Sequence, residues 1–73
     1  MIDKVIIGAW LAEKRKHKGI TQMQVAERLG VSKQAISKWE NGRGKMYADN
    51  FIEFCRIIEA DPNDLIPDVL RRY

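Results

Sequence analysis

The chain has 73 residues, a formal charge of +3 and a single cysteine, Cys55. That length makes one domain, residues 1–73, and the lone cysteine excludes an internal disulfide and points to a reducing cytoplasm. The longest apolar run, Val5 to Ala12, is broken by Gly8, is too short to cross a membrane and lacks the flanks of a signal peptide.

Charge is divided unevenly. Residues 1–45 carry ten Lys/Arg and four Asp/Glu, a net of +6, whereas residues 46–73 carry three and six, a net of −3. A polyanion-binding face requires the first distribution. The acidic half is free for folding or for contact with a protein partner.

In chain order, Asp3 caps a predicted helix running to about Lys18, with Ile6, Ile7, Trp10 and Leu11 as its apolar stripe. Its last turn, Lys14-Arg15-Lys16-His17-Lys18, complements the negative end of the helix dipole and can also attract phosphate. Arg15, one turn after Leu11, can point back toward the core and meet Glu40 in an Arg–carboxylate fork. Thr21 with Gln24 forms a capping box, stapled by Ile20 and Val25. The helix it starts turns Val25, Ala26 and Leu29 inward and ends at Gly30.

Ser32 caps the next helix, Ser32 to Asn41, with Val31 placed to staple Ile36. Two short helices joined by a tight glycine turn form a helix-turn-helix, about residues 21–41. On the second of them Ala35, Ile36 and Trp39 share one side, with Glu40 at its edge. Lys33, Gln34, Ser37, Lys38 and Asn41 share the other side, which has no carboxylate. Such a face suits the DNA major groove, where amides, hydroxyls and ammoniums meet base edges and an acid would meet phosphate repulsion. A merely solvated helix face has the same composition.

Gly42 closes that helix, and Arg43-Gly44-Lys45 makes a short, mobile basic loop. Its Gly-Arg-Gly-Lys lacks the spacing of a nucleotide-binding loop and does not follow a strand. A fourth helix runs from about Ala48 to Glu59. It has Ala48, Phe51, Cys55 and Ile58 on one face, Phe54 on the flank, and Ile52 and Ile57 to either side. Asp61-Pro62-Asn63-Asp64 opens a fifth helix that turns Leu65 and Ile66 inward. No strand pattern is present, so the fold class is all-α.

These residues resemble the phage repressor and Cro type of helix-turn-helix, the lambda-repressor-like or xenobiotic-response-element family. The resemblance runs from about Ile7 to Ile66. It is carried by Arg15…Gly19-Ile20-Thr21-Gln22, Val25-Ala26…Leu29-Gly30-Val31-Ser32, Ile36-Ser37…Trp39-Glu40-Asn41-Gly42 and Ala60-Asp61-Pro62-Asn63-Asp64-Leu65. It implies a compact five-helix lambda-repressor-like domain that binds operator DNA, usually as a dimer on a palindrome. The base-reading positions fall on Lys33, Gln34, Ser37 and Lys38. Backbone-contacting positions fall on Gln22, Asn41, Arg43 and Lys45, joined by the two helix caps Thr21 and Ser32. Arg15 and Glu40 match the internal ion pair. Family members often have Gly where Glu59 stands, so the fourth helix is expected to end differently here.

The function expected is therefore a DNA-binding transcriptional regulator of cytoplasmic, phage or chromosomal origin. It would be a repressor acting as a homodimer through Ile57, Ile66, Val69, Leu70 and Tyr73. The alternative is an antitoxin-type interaction module that also binds its own promoter, with Ile52, Phe54 and Ile57 as the partner surface. No enzyme is expected. His17 lies in a basic run and Cys55 on a core face, neither has a general-base partner nearby in sequence, and no metal-ligand cluster or cofactor motif is present.

Overall fold

The computed structural model describes residues 3–67. It contains α1 (Lys4–His17), α2 (Gln22–Leu29), α3 (Lys33–Glu40) and α4 (Ala48–Ile57). A 3-10 turn at Pro62–Asp64 then begins a fifth helical element, and helical backbone continues to residue 67. Among the described residues there is no strand.

Local chemistry sets the helix ends. The Asp3 carboxylate accepts from Val5 N at 2.8 Å and opens α1. Thr21 Oγ1 accepts from Gln24 N at 3.0 Å while Gln24 Oε1 accepts from Thr21 N at 2.8 Å, which completes the capping box of α2. Ser32 Oγ accepts from Ala35 N at 3.1 Å at the start of α3. These side chains satisfy amide donors that a helix start otherwise leaves unpaired.

The corner between α2 and α3 is a left-handed residue, Gly30, at φ 74. There Val31 N donates back to Ala26 O at 3.0 Å and turns the chain sharply. The end of α3 repeats the arrangement: Gly42 lies at φ 73, with Arg43 N on Lys38 O at 2.8 Å.

The fourth helix ends at Ile57 rather than Glu59. Glu59 itself takes the left-handed position, at φ 54, and Ala60 N donates to Cys55 O at 2.9 Å. The helix thus ends as one with glycine there would, but with a side chain in a conformation that disfavours a Cβ. An exposed ion pair accompanies it, Lys18 Nζ to Glu59 Oε1 at 2.7 Å. That pair holds the Glu59 carboxyl below its ordinary range, the hydrogen bond from Lys18 being the main cause. Glu59→Gly is expected to raise the thermal midpoint by a few degrees, because the strained backbone gains more from glycine than an exposed pair contributes. Calorimetry of the two proteins checks this.

Each of the four α-helices sends at least one side chain, or its capping residue, to the centre. Leu11, Val25, Ile36, Phe54 and Ile58 are all essentially inaccessible, and Trp10, Cys55 and Leu65 pack around them. Each such side chain contributes about 1.5–3 kcal/mol by leaving water. Trp10 belongs to this core, its ring 6.4 Å from that of Phe51.

Three expectations about the second half change. Phe54 is the centre of the α4 core face, not its flank, and Ala48 is exposed. The partner surface of Ile52, Phe54 and Ile57 therefore does not exist as a unit: only Ile52 is exposed, Ile57 is half-buried and Phe54 is fully enclosed. Ile66 does not turn inward with Leu65, being 53% exposed where Leu65 is 4%. The physical reason is the tight 3-10 start at Pro62–Asp64, which sends only Leu65 back to the core. Val69, Leu70 and Tyr73 lie outside the described residues.

Helix α3 is wedged against α1 as well as α2. The contact with α1 is made at Gly8, which is buried. A Cβ placed there would stand 2.2 Å from Trp39 O and 2.8 Å from Glu40 O. In the sequence Gly8 stands out only as an interruption of an apolar run. Its role is to let two backbones touch, and this fixes how far α3 stands out from the body.

Candidate nucleic-acid interface

That placement decides which side of α3 faces out. Ile36, Trp39 and Glu40 are buried, and Ala35 is half-buried. Lys33, Gln34 and Lys38 are exposed, and Ser37 is half-buried. Ser37 therefore sits at the margin of the outward face rather than at its middle. Lys38 lies with its stem across the α3–α4 loop, its Cδ 3.9 Å from the Cβ position of Gly44.

A buried polar cluster holds this face in place. Arg15 Nε donates to Glu40 Oε2 at 2.6 Å and Arg15 Nη2 to Glu40 Oε1 at 3.0 Å, a fork between the end of α1 and the end of α3. Arg15 Nη1 donates to Ile20 O at 2.8 Å, just before α2. Gln22 Nε2 then donates to Glu40 Oε1 at 2.9 Å. One carboxylate on α3 thus binds groups from α1 and α2. Among the described residues no buried side-chain N or O lacks a hydrogen-bond partner, the condition under which a buried charge pair does not penalise the fold.

The expected backbone-contacting residues are arranged around the α3 face. Thr21 and Ser32 have their hydroxyl oxygens accepting from backbone amides, so each retains its O–H as a free donor. Gln22 has one amide hydrogen on Glu40 and a second one uncommitted. Asn41 is exposed, its Nδ2 on Ser37 O at 2.8 Å. Arg43 and Lys45 are exposed on the α3–α4 loop.

That loop differs from the mobile segment expected. Trp39 Nε1 donates to Lys45 O at 3.0 Å, Lys4 Nζ to Gly44 O at 3.4 Å and Arg43 N to Lys38 O. A buried indole at the end of α3 anchors the loop backbone and keeps the two residues that carry its cations beside the helix.

Of the basic run at the end of α1, Lys16 shares an open groove with Thr21, Gln22 and Lys33. Sequence reasoning misses one neighbour of the site. Lys4 meets the loop from 40 residues away, a proximity for which no local sequence signal exists.

The two groups weighed for catalysis are poorly placed for it. Cys55 is buried, and burial, with Asp61 nearby, pushes its thiol up to about 11, so it stays protonated and unreactive near neutral pH. His17 is exposed. Among the described residues no cluster of His, Cys, Asp or Glu that could hold a metal is present, and no helix is long and apolar enough to cross a membrane.

Comparison with known proteins agrees with this geometry. A family model described as "Helix-turn-helix" matches residues 11–63. The ImmF control region 10 kDa protein of Bacillus phage phi105 is 42% identical over 65 residues, 89% of this chain and 72% of that protein. The HTH-type transcriptional activator BcrR of Enterococcus faecalis is 56% identical over 34 residues, 47% of this chain, but the match spans only 17% of that longer protein. Among solved structures, the clp gene regulator ClgR from C. glutamicum superposes with a TM-score of 0.84 at 26% identity, over 96% of this chain and 90% of that one.

Proposed function

This chain belongs to the Cro and lambda-repressor type of helix-turn-helix transcriptional regulators, which bind DNA, and we propose that it is a repressor seating two copies on a palindromic operator. The observation that carries the reading is the outward side of α3. Lys33, Gln34 and Lys38 stand exposed there with no carboxylate among them, on a helix whose inner side is locked by Glu40. A helix packed against both α1 and α2 and presenting short and long donors is the shape that enters a major groove.

In this reading Gln34 pairs with adenine and Lys33 or Lys38 with guanine, each good contact being worth about 1–3 kcal/mol of discrimination. Ser37 contributes from the margin. Thr21, Gln22, Ser32, Asn41, Arg43 and Lys45 position the domain on phosphates, and these contacts supply affinity that falls with salt. One such domain buries limited surface, so tight binding calls for two copies on half-sites about 34 Å apart. The exposed Ile66 supports a homodimer seated on the end of the chain, with Val69, Leu70 and Tyr73 as its continuation and Ile57 as a half-buried support. Bound in this way the protein represses by covering a promoter. The phage control-region relative is in keeping with a switch of that kind.

Two substitutions separate reading from positioning. Gln34→Ala is expected to relax sequence preference by about tenfold or more at one base pair while leaving non-specific affinity nearly unchanged. Arg43→Ala is expected to weaken all sequences alike and to reduce the slope of log affinity against log salt by about one. Fluorescence anisotropy on operator and scrambled duplexes measures both. Unchanged preference in Gln34→Ala contradicts the assignment of the reading face.

A further inference from the structure

A hollow of about 250 Å³ opens between the start of α1 and the α3–α4 loop. Its apolar side is Ile7, Trp39 and Met46, and its rim carries Lys4, Arg43 and Lys45. Among the described residues no carboxylate lines it. Trp39 uses its one donor on Lys45 O, so its indole offers the hollow only a ring. The Lys4 ammonium makes a single long contact with Gly44 O, at 3.4 Å, and keeps donors free.

Small-molecule sites are concave and largely apolar, with a few charged groups that fix orientation. The volume lies just below the roughly 300 Å³ at which drug-sized sites begin, so a fitting ligand is small. Three cations without an acid select an anion. Inorganic phosphate would leave the apolar floor unused, and a neutral apolar molecule would leave the cations uncompensated. A carboxylate on a short hydrocarbon body satisfies both sides.

We propose that this hollow binds a small amphiphilic carboxylate, its hydrocarbon on Ile7, Trp39 and Met46 and its charge among Lys4, Arg43 and Lys45, and that the bound molecule competes with DNA phosphate for the loop cations. The site rests on the shape and charge of the hollow alone; only the competition rests on the DNA-binding reading above. It makes the chain a regulator whose DNA affinity answers to a metabolite-sized acid bound on the DNA-binding domain itself.

The test titrates octanoate into the full chain and follows the Ile7 amide, the Trp39 indole N–H and the Met46 methyl by NMR. Octan-1-ol and inorganic phosphate are titrated in parallel. Octanoate is expected to shift all three signals saturably, and the other two probes to give clearly weaker responses. Lys4→Glu is expected to weaken octanoate about tenfold by reversing a rim charge. The variant keeps its fold, because an acid in the first turn of a helix is favourable.

An equal response to phosphate would reduce the hollow to an anion seat, and an equal response to octan-1-ol would reduce it to an apolar cleft. Either result, or no saturable response to octanoate, overturns the site. A duplex titration with and without octanoate then reads the competition. Octanoate that binds but leaves DNA affinity unchanged rejects the competition and retains the site. Absence of DNA binding altogether is a failure of the functional reading, and the NMR result stands apart from it.

Discussion

Gly8→Ala is expected to cost the fold about 3 kcal/mol or more, the upper range for forcing extra atoms into a packed interior. The added Cβ would stand 2.2 Å from Trp39 O and 2.8 Å from Glu40 O, both backbone atoms of α3. A flexible side chain could rotate away from such an intrusion; a helical backbone can only move as a body. Either α1 and α3 separate, opening the core around Leu11 and Ile36, or the chain unfolds. A domain of this size has roughly 4–11 kcal/mol of total stability on a per-residue basis. Urea denaturation followed by circular dichroism is expected to give a sharply lower midpoint for Gly8→Ala and no cooperative transition for Gly8→Leu. A midpoint within experimental error of the parent would show that the helices do not touch at Gly8.

The second large effect belongs to Glu40. Glu40→Ala removes the acceptor for Arg15 Nε, Arg15 Nη2 and Gln22 Nε2 in one step. It leaves Arg15, only 8% exposed, as an uncompensated charge. Breaking a buried pair from one side costs about 3–5 kcal/mol, much of it the penalty on the orphaned partner. The double substitution Arg15→Met with Glu40→Leu removes both charges and is expected to recover most of that loss, since an apolar pair of similar volume is often nearly neutral. Comparing Arg15→Met alone and Glu40→Leu alone with the double in the same urea experiment separates the pair's coupling from the cost of burying each charge. The double variant is further expected to fold yet bind DNA less tightly, because Gln22 loses the partner that orients it. Equal destabilisation in the double and in Glu40→Ala would contradict this account of the cluster.

The parts of the fold legible in the sequence are those set by neighbouring residues. Asp3, Thr21 with Gln24, Ser32 and Asp61 each cap within three residues of themselves. Gly30 and Gly42 mark left-handed corners through the same short-range chemistry. The fork of Arg15 on Glu40 was also legible, because apolar periodicity placed both residues near the core side of their helices.

What stayed hidden depends on partners far along the chain. Gly8 matters only because α3 lies against it. Gln22 is expected only as a DNA-backbone contact, and its bond to Glu40 is not anticipated because the two lie 18 residues apart. The basic loop looked mobile because nothing local reveals that the Trp39 indole holds Lys45 O. Phe54 sits at i+3 from Phe51 and i−4 from Ile58, so regular helical spacing places it on the core face and not the flank. Ile66 faces out because Pro62–Asp64 winds more tightly than an α-helix. An error of a fraction of a turn at a helix end moves a side chain from core to solvent.

The outward face of α3 is legible in its exposure and composition. Selection of bound duplexes from a random pool by the purified protein tests that face most directly. It should enrich one short half-site repeated as an inverted pair, its centres one helical turn apart. The same selection with Gln34→Ala should lose preference at one position in each half. A pool that emerges unenriched, retained only in proportion to low salt, would mean that the protein senses the phosphate chain and reads no bases.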